Sequence, residues 1–222
     1  MKSRTYGQYC GVARALDLVG ERWALLLIRD LLCGPKRFTD LQRGLPRIPT
    51  NVLSARLKEL QDADVVRRRL LARPESRVVY ELTEYGRELE EVVLRLGLWG
   101  ARSLGEIGPE DTVTAEAVLL GLRVTFRPEA ARGVRASYEL RLGEIVVHAR
   151  VDDGVLEVAE GPLAGSDLVI DTDMTLRRLM TGELGPDEAI KSGKVRVTGN
   201  RDLLERFVEI FHIPPMPSAI PA

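Results

Sequence analysis

Residues 49–60 read Pro49-Thr50-Asn51-Val52-Leu53-Ser54-Ala55-Arg56-Leu57-Lys58-Glu59-Leu60. The segment predicts a short amphipathic helix, because its leucines recur at the spacing of one helix face. A rotation of about 100° per residue places the opposite face at Asn51, Ala55, Lys58 and Asp62, with Thr50 and Ser54 beside it. The first turn and a half of this face is small, uncharged and able to exchange hydrogen bonds. It therefore suits contacts to base edges in the major groove of DNA.

The segments on either side of this helix predict a winged helix-turn-helix domain. Residues 12–19 and 21–32 are apolar at helical spacing, and residues 38–44 form a shorter helical segment. Residues 65–71 and 78–82 are strand-like and enclose a polar tip, which predicts a β-hairpin, here called the wing. Two short helices joined by a tight turn, the second of them anchored by leucines, are the elements that read a major groove.

The candidate DNA contacts surround the predicted recognition helix. Asn51 is the first choice for a base contact, because its amide can pair with adenine, and Ser54 is the second. Basic residues before the helix and at the tip of the wing are placed to hold phosphates, although each arginine taken singly could equally be a solvated surface charge. The candidate DNA-binding residues are Arg37, Arg43, Arg47, Thr50, Asn51, Ser54, Arg56, Lys58, Arg73 and Arg77.

A second apolar stripe follows the wing on a helix predicted to begin near Thr83. Its members are Tyr85, Leu89, Val92, Leu96 and Trp99. A two-fold dimer would cover this stripe and would place two recognition helices about 34–36 Å apart on one face of DNA. The alternative is that the stripe packs on the first helix or on a second domain.

Composition and charge describe a globular chain with two different halves. The 222 residues are 45% hydrophobic and 29% charged, with a net charge of −1 that hides a basic first half and an acidic second half. No apolar run is long enough to span a bilayer, and no signal peptide is recognisable. We therefore expect a cytoplasmic protein without a membrane partner.

The fold class predicted from these patterns is α+β. Residues 1–105 would form the winged DNA-binding and dimerisation domain, residues 106–213 a second domain, and residues 214–222 a disordered, proline-rich tail. The second domain alternates short strands, Gly turns and short helices, which predicts a small antiparallel sheet covered by helices. It has no catalytic constellation, phosphate-binding loop or metal-ligand cluster, so we expect neither an enzyme nor a cofactor or metal.

The first half of the chain resembles the HxlR-type transcriptional regulators over roughly residues 9–102. The matching residues are 15–23, which contain Gly20-Glu21-Arg22-Trp23, together with 27–32, 34–38, 53–60, 80–83, Gly86 and 99–100. The resemblance implies a dimeric winged-helix regulator, most often a repressor, acting on its own or a neighbouring promoter. Pro49 stands where the family often has a capping serine. Thr50 is therefore expected to cap the recognition helix and to shift its start by one residue.

Cys10 is a candidate redox thiol by the same resemblance. Some members of that family sense oxidants or electrophiles with a thiol just before the first helix, which is the position of Cys10. Arg14 and the helix N-terminus would lower its pKa. Gly11 stands where the family usually has proline, and the alternative is a structural or idle cysteine.

The second half resembles the sterol-carrier-protein-like domains. The matching residues are 168–173, Leu179, Gly182, Pro186, Ala189, 193–195, 197–199, Leu203 and Phe211. The resemblance implies helices and a sheet around an apolar tunnel that holds a fatty acyl or similar ligand, whereas the alternative is a solid core. The candidate lining residues are Leu119, Leu122, Tyr138, Leu140, Val147, Leu179, Met180, Phe207 and Phe211.

These features together predict a sequence-specific, DNA-binding transcriptional regulator. It would be a dimeric repressor controlled by an apolar ligand, with double-stranded DNA, a second copy of itself and that small molecule as partners. The alternative is a lipid- or small-molecule-binding protein whose winged helix mediates protein–protein contacts.

Overall fold

The computed structural model describes residues 5–72, 77–108, 110–173 and 175–217. The chain forms two compact units, Met1–Val93 and Leu94–Ala222. The boundary predicted near residue 105 lies several residues after this division, which falls inside a helix. Residues 218–222 of the predicted tail lie outside the described residues.

The first unit has the helix and strand order of a winged helix-turn-helix. Its elements are α1 (Gly11–Val19), α2 (Ala24–Leu32), α3 (Phe38–Gly44), α4 (Thr50–Asp62), β1 (Val66–Leu70), β2 (Val78–Leu82) and α5 (Glu84–Arg87), followed by α6 (Leu89–Ala101), which contains the division. Leucines from three helices form its core, and Leu27, Leu41 and Leu53 are fully buried. The apolar periodicity in the sequence marks these buried faces.

The turn between α1 and α2 is longer than the sequence predicts. The helix expected over residues 21–32 begins at Ala24, because Trp23 adopts a left-handed backbone conformation with φ of 81°. A bulky residue at positive φ is unusual and interrupts the helical hydrogen-bond pattern. The Arg22 guanidinium lies 5.3 Å from the centre of the Trp23 ring.

The wing is an antiparallel hairpin with an additional backbone contact. β1 and β2 pair from Val66 opposite Leu82 to Leu70 opposite Val78, and Lys36 forms a bridge to Tyr80. Thr83 then ends the hairpin: its hydroxyl accepts a hydrogen bond from Gly86 N at 2.9 Å and donates one to Asp64 O at 2.6 Å. This cap starts the short α5, so the long helix expected from Thr83 is divided into α5 and α6.

The second unit is a five-stranded sheet with helices. Its elements after α6 are α7 (Ala115–Thr125), β3 (Arg135–Leu142), β4 (Ile145–Asp152), β5 (Val155–Glu160), β6 (Leu168–Thr172), α8 (Thr175–Met180), α9 (Pro186–Lys191), β7 (Val195–Gly199) and α10 (Leu203–Ile210). The strand order is β5-β4-β3-β6-β7.

The sheet is mixed rather than wholly antiparallel. Three strand pairings are antiparallel as expected, but β3 and β6 are parallel, with Tyr138 opposite Leu168. The segment after β5 crosses over β3 before β6 begins, and Leu163 N in that crossover donates to the Glu139 carboxylate at 2.7 Å. A crossover of this kind returns the chain in the same direction, which produces a parallel pair.

Candidate functional site

The recognition helix α4 presents the face that the sequence predicts. Leu53, Leu57 and Leu60 are buried, whereas Asn51, Ser54, Ala55 and Lys58 are exposed. The exposed surface is therefore the small and polar one, while the leucines hold the helix to the body of the first unit. Such a face can enter a major groove.

The first turn of α4 differs from the expected capping. Thr50 is the first helical residue, and Pro49, in an extended conformation with ψ of 141°, is the N-cap without a side-chain hydrogen bond. The prediction that Thr50 caps the helix is wrong, because a capping residue must lie outside the helix that it caps. The Thr50 hydroxyl instead accepts a hydrogen bond from Gln42 Nε2 at 2.9 Å, and the Ser54 hydroxyl donates to Thr50 O at 2.9 Å.

The basic residues near α4 differ in how closely they pair with carboxylates. Arg37 donates two hydrogen bonds to Asp40, at 2.8 and 2.9 Å, and the Arg37 side chain lowers the pKa of Asp40. Arg43 lies 3.7 Å from the same carboxylate with its side chain 78% exposed. Arg47, Lys58 and Arg77 are exposed. Arg73, at the tip of the wing, lies outside the described residues.

Arg56 has a different environment from the other candidate DNA contacts. Its side chain is only 19% exposed and forms ion pairs with Glu59 on α4 and with Glu21 in the α1–α2 turn, the latter at 3.1 Å. The guanidinium is therefore engaged within the first unit. It connects the recognition helix to the turn that contains Trp23.

The wing contains a buried carboxylate that the sequence analysis missed. Glu81 on β2 is buried. Its carboxylate forms ion pairs with Arg67 Nε at 2.7 Å and with Arg69 Nη2 at 2.9 Å. Both arginines remain about half exposed, and each guanidinium has more donors than its contact with Glu81 uses. The antiparallel register, with Arg67 opposite Glu81, would have revealed this pairing.

Cys10 lies at the N-cap of α1 and is exposed. The backbone N–H groups of Ala13 and Val12 lower the pKa of its thiol, and Arg14 is not among the causes. A helix N-terminus favours a thiolate in this way. The arrangement is compatible with a reactive thiol, and Cys10 stays a candidate redox residue.

The apolar stripe that reaches along α6 is exposed at four of its five members, whereas Leu89 is half-buried. Val92, Leu96 and Trp99 recur at helical spacing, and Trp99 is 71% exposed. Val12 and Leu16 are exposed on α1, and Tyr85 is exposed on α5. Exposed apolar side chains in continuous rows are typical of protein–protein contact surfaces.

The nine candidate lining residues of the second unit are all buried. Tyr138 on β3 packs edge-on against Phe207 and Phe211, with ring centres 5.3 and 6.3 Å away. The Phe207 and Phe211 rings are 4.7 Å apart. This interior is therefore apolar and aromatic next to α10.

The described parts of the chain contain neither a metal-ligand cluster nor a membrane-spanning helix. Within them, no group of three or more His, Cys, Asp or Glu side chains is arranged to hold a metal ion. None of the described helices combines the length and the apolarity that crossing a membrane requires.

Comparison with known proteins identifies relatives of both units. The profile of the HxlR-like helix-turn-helix family matches residues 18–107, and that of the SCP-2 sterol transfer family matches residues 125–212.

Individual relatives match less than half of the chain. The uncharacterized HTH-type transcriptional regulator YdeP of Bacillus subtilis (strain 168) is 36% identical over 93 residues, 42% of this chain and 73% of YdeP. The HTH-type transcriptional regulator YodB of the same organism is 37% identical over 102 residues, 46% of this chain and 88% of YodB. Among solved structures, the redox regulator HypR in its oxidized form is similar with a TM-score of 0.40 and 35% identity, covering 44% of this chain and 100% of HypR.

Proposed function

The chain belongs to the HxlR-like helix-turn-helix family and carries a domain of the SCP-2 sterol transfer family, and from this we propose that it is a dimeric transcriptional repressor controlled by an apolar ligand. Its DNA would be an operator near its own gene, and its site of action would be the cytoplasm. The observation that supports DNA binding most directly is the open face of α4. There, Asn51 is exposed and its amide has no side-chain hydrogen bond to the described residues.

The proposed contacts divide into base readers and phosphate holders. Asn51 and Ser54 would contact base edges, whereas Arg43 and Lys58 would contact phosphates. Arg37, Arg47, Thr50, Arg73 and Arg77 complete the proposed interface. Arg56 stays outside it, because its side chain is mostly buried and its two terminal nitrogens are ion-paired within the protein.

Dimerisation would cover the exposed stripe of α6. A symmetric dimer presents two recognition helices to a palindromic operator, and each adds its contacts to the total affinity. The ligand would bind in the apolar interior of the second unit, as the SCP-2 relationship suggests. In this proposal the second unit has no catalytic role.

Operator binding by single variants tests this function. Upstream DNA is titrated with the full chain by fluorescence anisotropy at several salt concentrations. Asn51→Ala should weaken binding by about 1–3 kcal/mol, roughly 5- to 150-fold, without changing the salt dependence. Arg43→Ala should lower the slope of log affinity against log salt by about one. Gln61→Ala, an exposed change on the same helix, is the control. Equal affinities for all three variants would contradict the proposal.

A further inference from the structure

Glu81 is a buried carboxylate whose two oxygens are divided between two arginines of the wing. Arg67 Nε donates to Glu81 Oε1 at 2.7 Å, and Arg69 Nη2 lies 2.9 Å from Glu81 Oε2. Arg67 is directly opposite Glu81 in the β1–β2 register, and Arg69 follows it on the same face of β1. One carboxylate therefore fixes the positions of two neighbouring guanidinium groups.

Stability alone is a poor explanation for a carboxylate at this position. Glutamate is a weak strand former, and burying its charge costs hydration that an ion pair only partly returns. Val79 and Leu82 on the same strand are apolar and buried, so β2 accepts apolar side chains on both of its faces. Replacing a buried ion pair by apolar residues is often neutral or stabilising. The effect of the carboxylate on the arginines explains its presence better.

The two arginines are exposed and have unused donors. The side chains of Arg67 and Arg69 are 62% and 49% exposed, although the carboxylate that they share is buried. A guanidinium has five N–H donors, so each arginine can bind an anion besides Glu81. Within residues 66–72 and 77–82 of the wing, four arginines accompany the one carboxylate of Glu81. This surplus of positive charge favours a polyanion, and the planar guanidinium suits phosphate oxygens.

We propose that Arg67 and Arg69 contact DNA phosphates, and that Glu81 is the positioning residue that orders both guanidinium groups before DNA binds. This inference rests on the proposed function, because it adds two contacts and a positioning residue to the same DNA interface. β1 begins three residues after the recognition helix α4 ends, so the chain carries both arginines next to that helix. An arginine that is already ordered loses less conformational entropy when it binds a phosphate. The net charge of the three groups remains positive and attracts DNA.

The salt dependence of DNA binding tests the two phosphate contacts. Upstream DNA is titrated with full-chain variants at several salt concentrations. Arg67→Gln and Arg69→Gln should each lower the slope of log affinity against log salt by about one. Arg135→Gln is the matched control, because Arg135 in the second unit also pairs across two strands with a carboxylate, that of Asp152 at 2.8 Å. Its slope should stay at the wild-type value.

The sign of the Glu81→Gln effect tests the positioning role. Glutamine has one acceptor oxygen and cannot order both arginines, whereas loss of a negative charge by itself would tighten DNA binding. Positioning predicts that Glu81→Gln weakens binding by roughly 3- to 10-fold, the cost of ordering one arginine on DNA. When Arg67→Gln and Arg69→Gln are already present, Glu81→Gln should no longer weaken binding. Unchanged or tighter binding by Glu81→Gln alone, or an equal loss with and without the two arginines, would overturn the positioning role.

The remaining outcomes separate this inference from the proposed function. If the wild type binds upstream DNA and Asn51→Ala weakens it, but both wing variants have the wild-type slope, this inference alone is overturned. If the wild type does not bind upstream DNA, the proposed function is overturned together with the inference.

Discussion

Single carboxylates organise the arginines of this protein at the scale of residues. Asp40 holds Arg37 and lies near Arg43, Glu81 holds two arginines of the wing, and Glu139 accepts a hydrogen bond from Arg141 Nε at 2.7 Å. Glu81 and Glu139 are buried, so these partners replace the hydrogen bonds that water would give an exposed carboxylate. Removing one carboxylate would leave the arginines less ordered and a buried hydrogen bond unmade.

The pH dependence of stability should report on Glu139. Burial raises the pKa of Glu139, but hydrogen bonds from Leu163 N and the Arg141 guanidinium outweigh it, so the net pKa is lowered. A carboxyl group with a lowered folded pKa contributes stability above its unfolded pKa of about 4.3 and loses it as pH falls through the folded value. Glu139→Gln should lower the free energy of unfolding by about 1–3 kcal/mol at pH 7, and the difference should narrow below about pH 4.

Urea unfolding followed by circular dichroism measures this difference. Glu157→Gln, at an exposed position of β5, should change the unfolding free energy by less than about 0.5 kcal/mol. The stabilising role of the Glu139 carboxylate would be contradicted by either of two results. These are a Glu139→Gln change in the unfolding free energy as small as that of Glu157→Gln, and a change of the same size at pH 3 and at pH 7.

At the scale of elements, the α1–α2 turn and the recognition helix are joined by an ion pair. Glu21 in the turn and Glu59 on α4 both bind Arg56, and Trp23 in the same turn has a positive φ. The turn with this unusual backbone therefore also supplies the Glu21 carboxylate that pairs with α4. We interpret Arg56 as a residue that positions the helix rather than one that contacts phosphates.

Salt dependence distinguishes these two roles of Arg56. Arg56→Gln should weaken operator binding while the slope of log affinity against log salt stays at the wild-type value, because no phosphate contact is lost. Lys58→Gln, on the exposed face of α4, should instead lower that slope by about one. If Arg56→Gln lowered this slope, Arg56 would contact a phosphate and would belong to the proposed interface.

The stripe on α6 makes a separate prediction about assembly. Trp99→Ala should raise the dimer dissociation constant by roughly 30-fold or more, because truncating an aromatic hot-spot residue typically costs about 2 kcal/mol or more. Val155→Ala, at an exposed apolar residue of β5, should leave the dimer dissociation constant unchanged. Sedimentation equilibrium measures both constants. A monomeric wild type, or an unaffected Trp99→Ala dimer, would contradict the proposed interface.

At the scale of the whole molecule, the chain matches two families, over residues 18–107 and 125–212, and it forms two compact units. If an apolar ligand controls operator binding, the ligand changes the affinity for the operator by the same factor by which the operator changes the affinity for the ligand. We expect a 5- to 150-fold change in operator affinity when 1-dodecanol is added to delipidated protein. Operator titrations with and without the alcohol measure it, and Leu204→Asp, which places a charge in the buried interior, should reduce the response. Identical affinities in the two titrations would rule out this control.

The sequence by itself determined the fold class of both units and the buried face of the recognition helix. Apolar spacing identifies which face of a helix or strand is buried, since burial of that face dominates the free energy of folding. The leucines of α4 and the alternation along β3 are therefore readable without coordinates. The exposed positions of Asn51 and Ser54 follow from the same spacing.

Only the tertiary structure decided which polar groups meet. The pairing of Arg56 with Glu21 joins residues far apart in the chain, and the burial of Glu139 depends on a crossover that makes β6 parallel to β3. Hydrogen bonds and ion pairs need specific distances and directions, and these arise from packing rather than from the periodicity of a sequence.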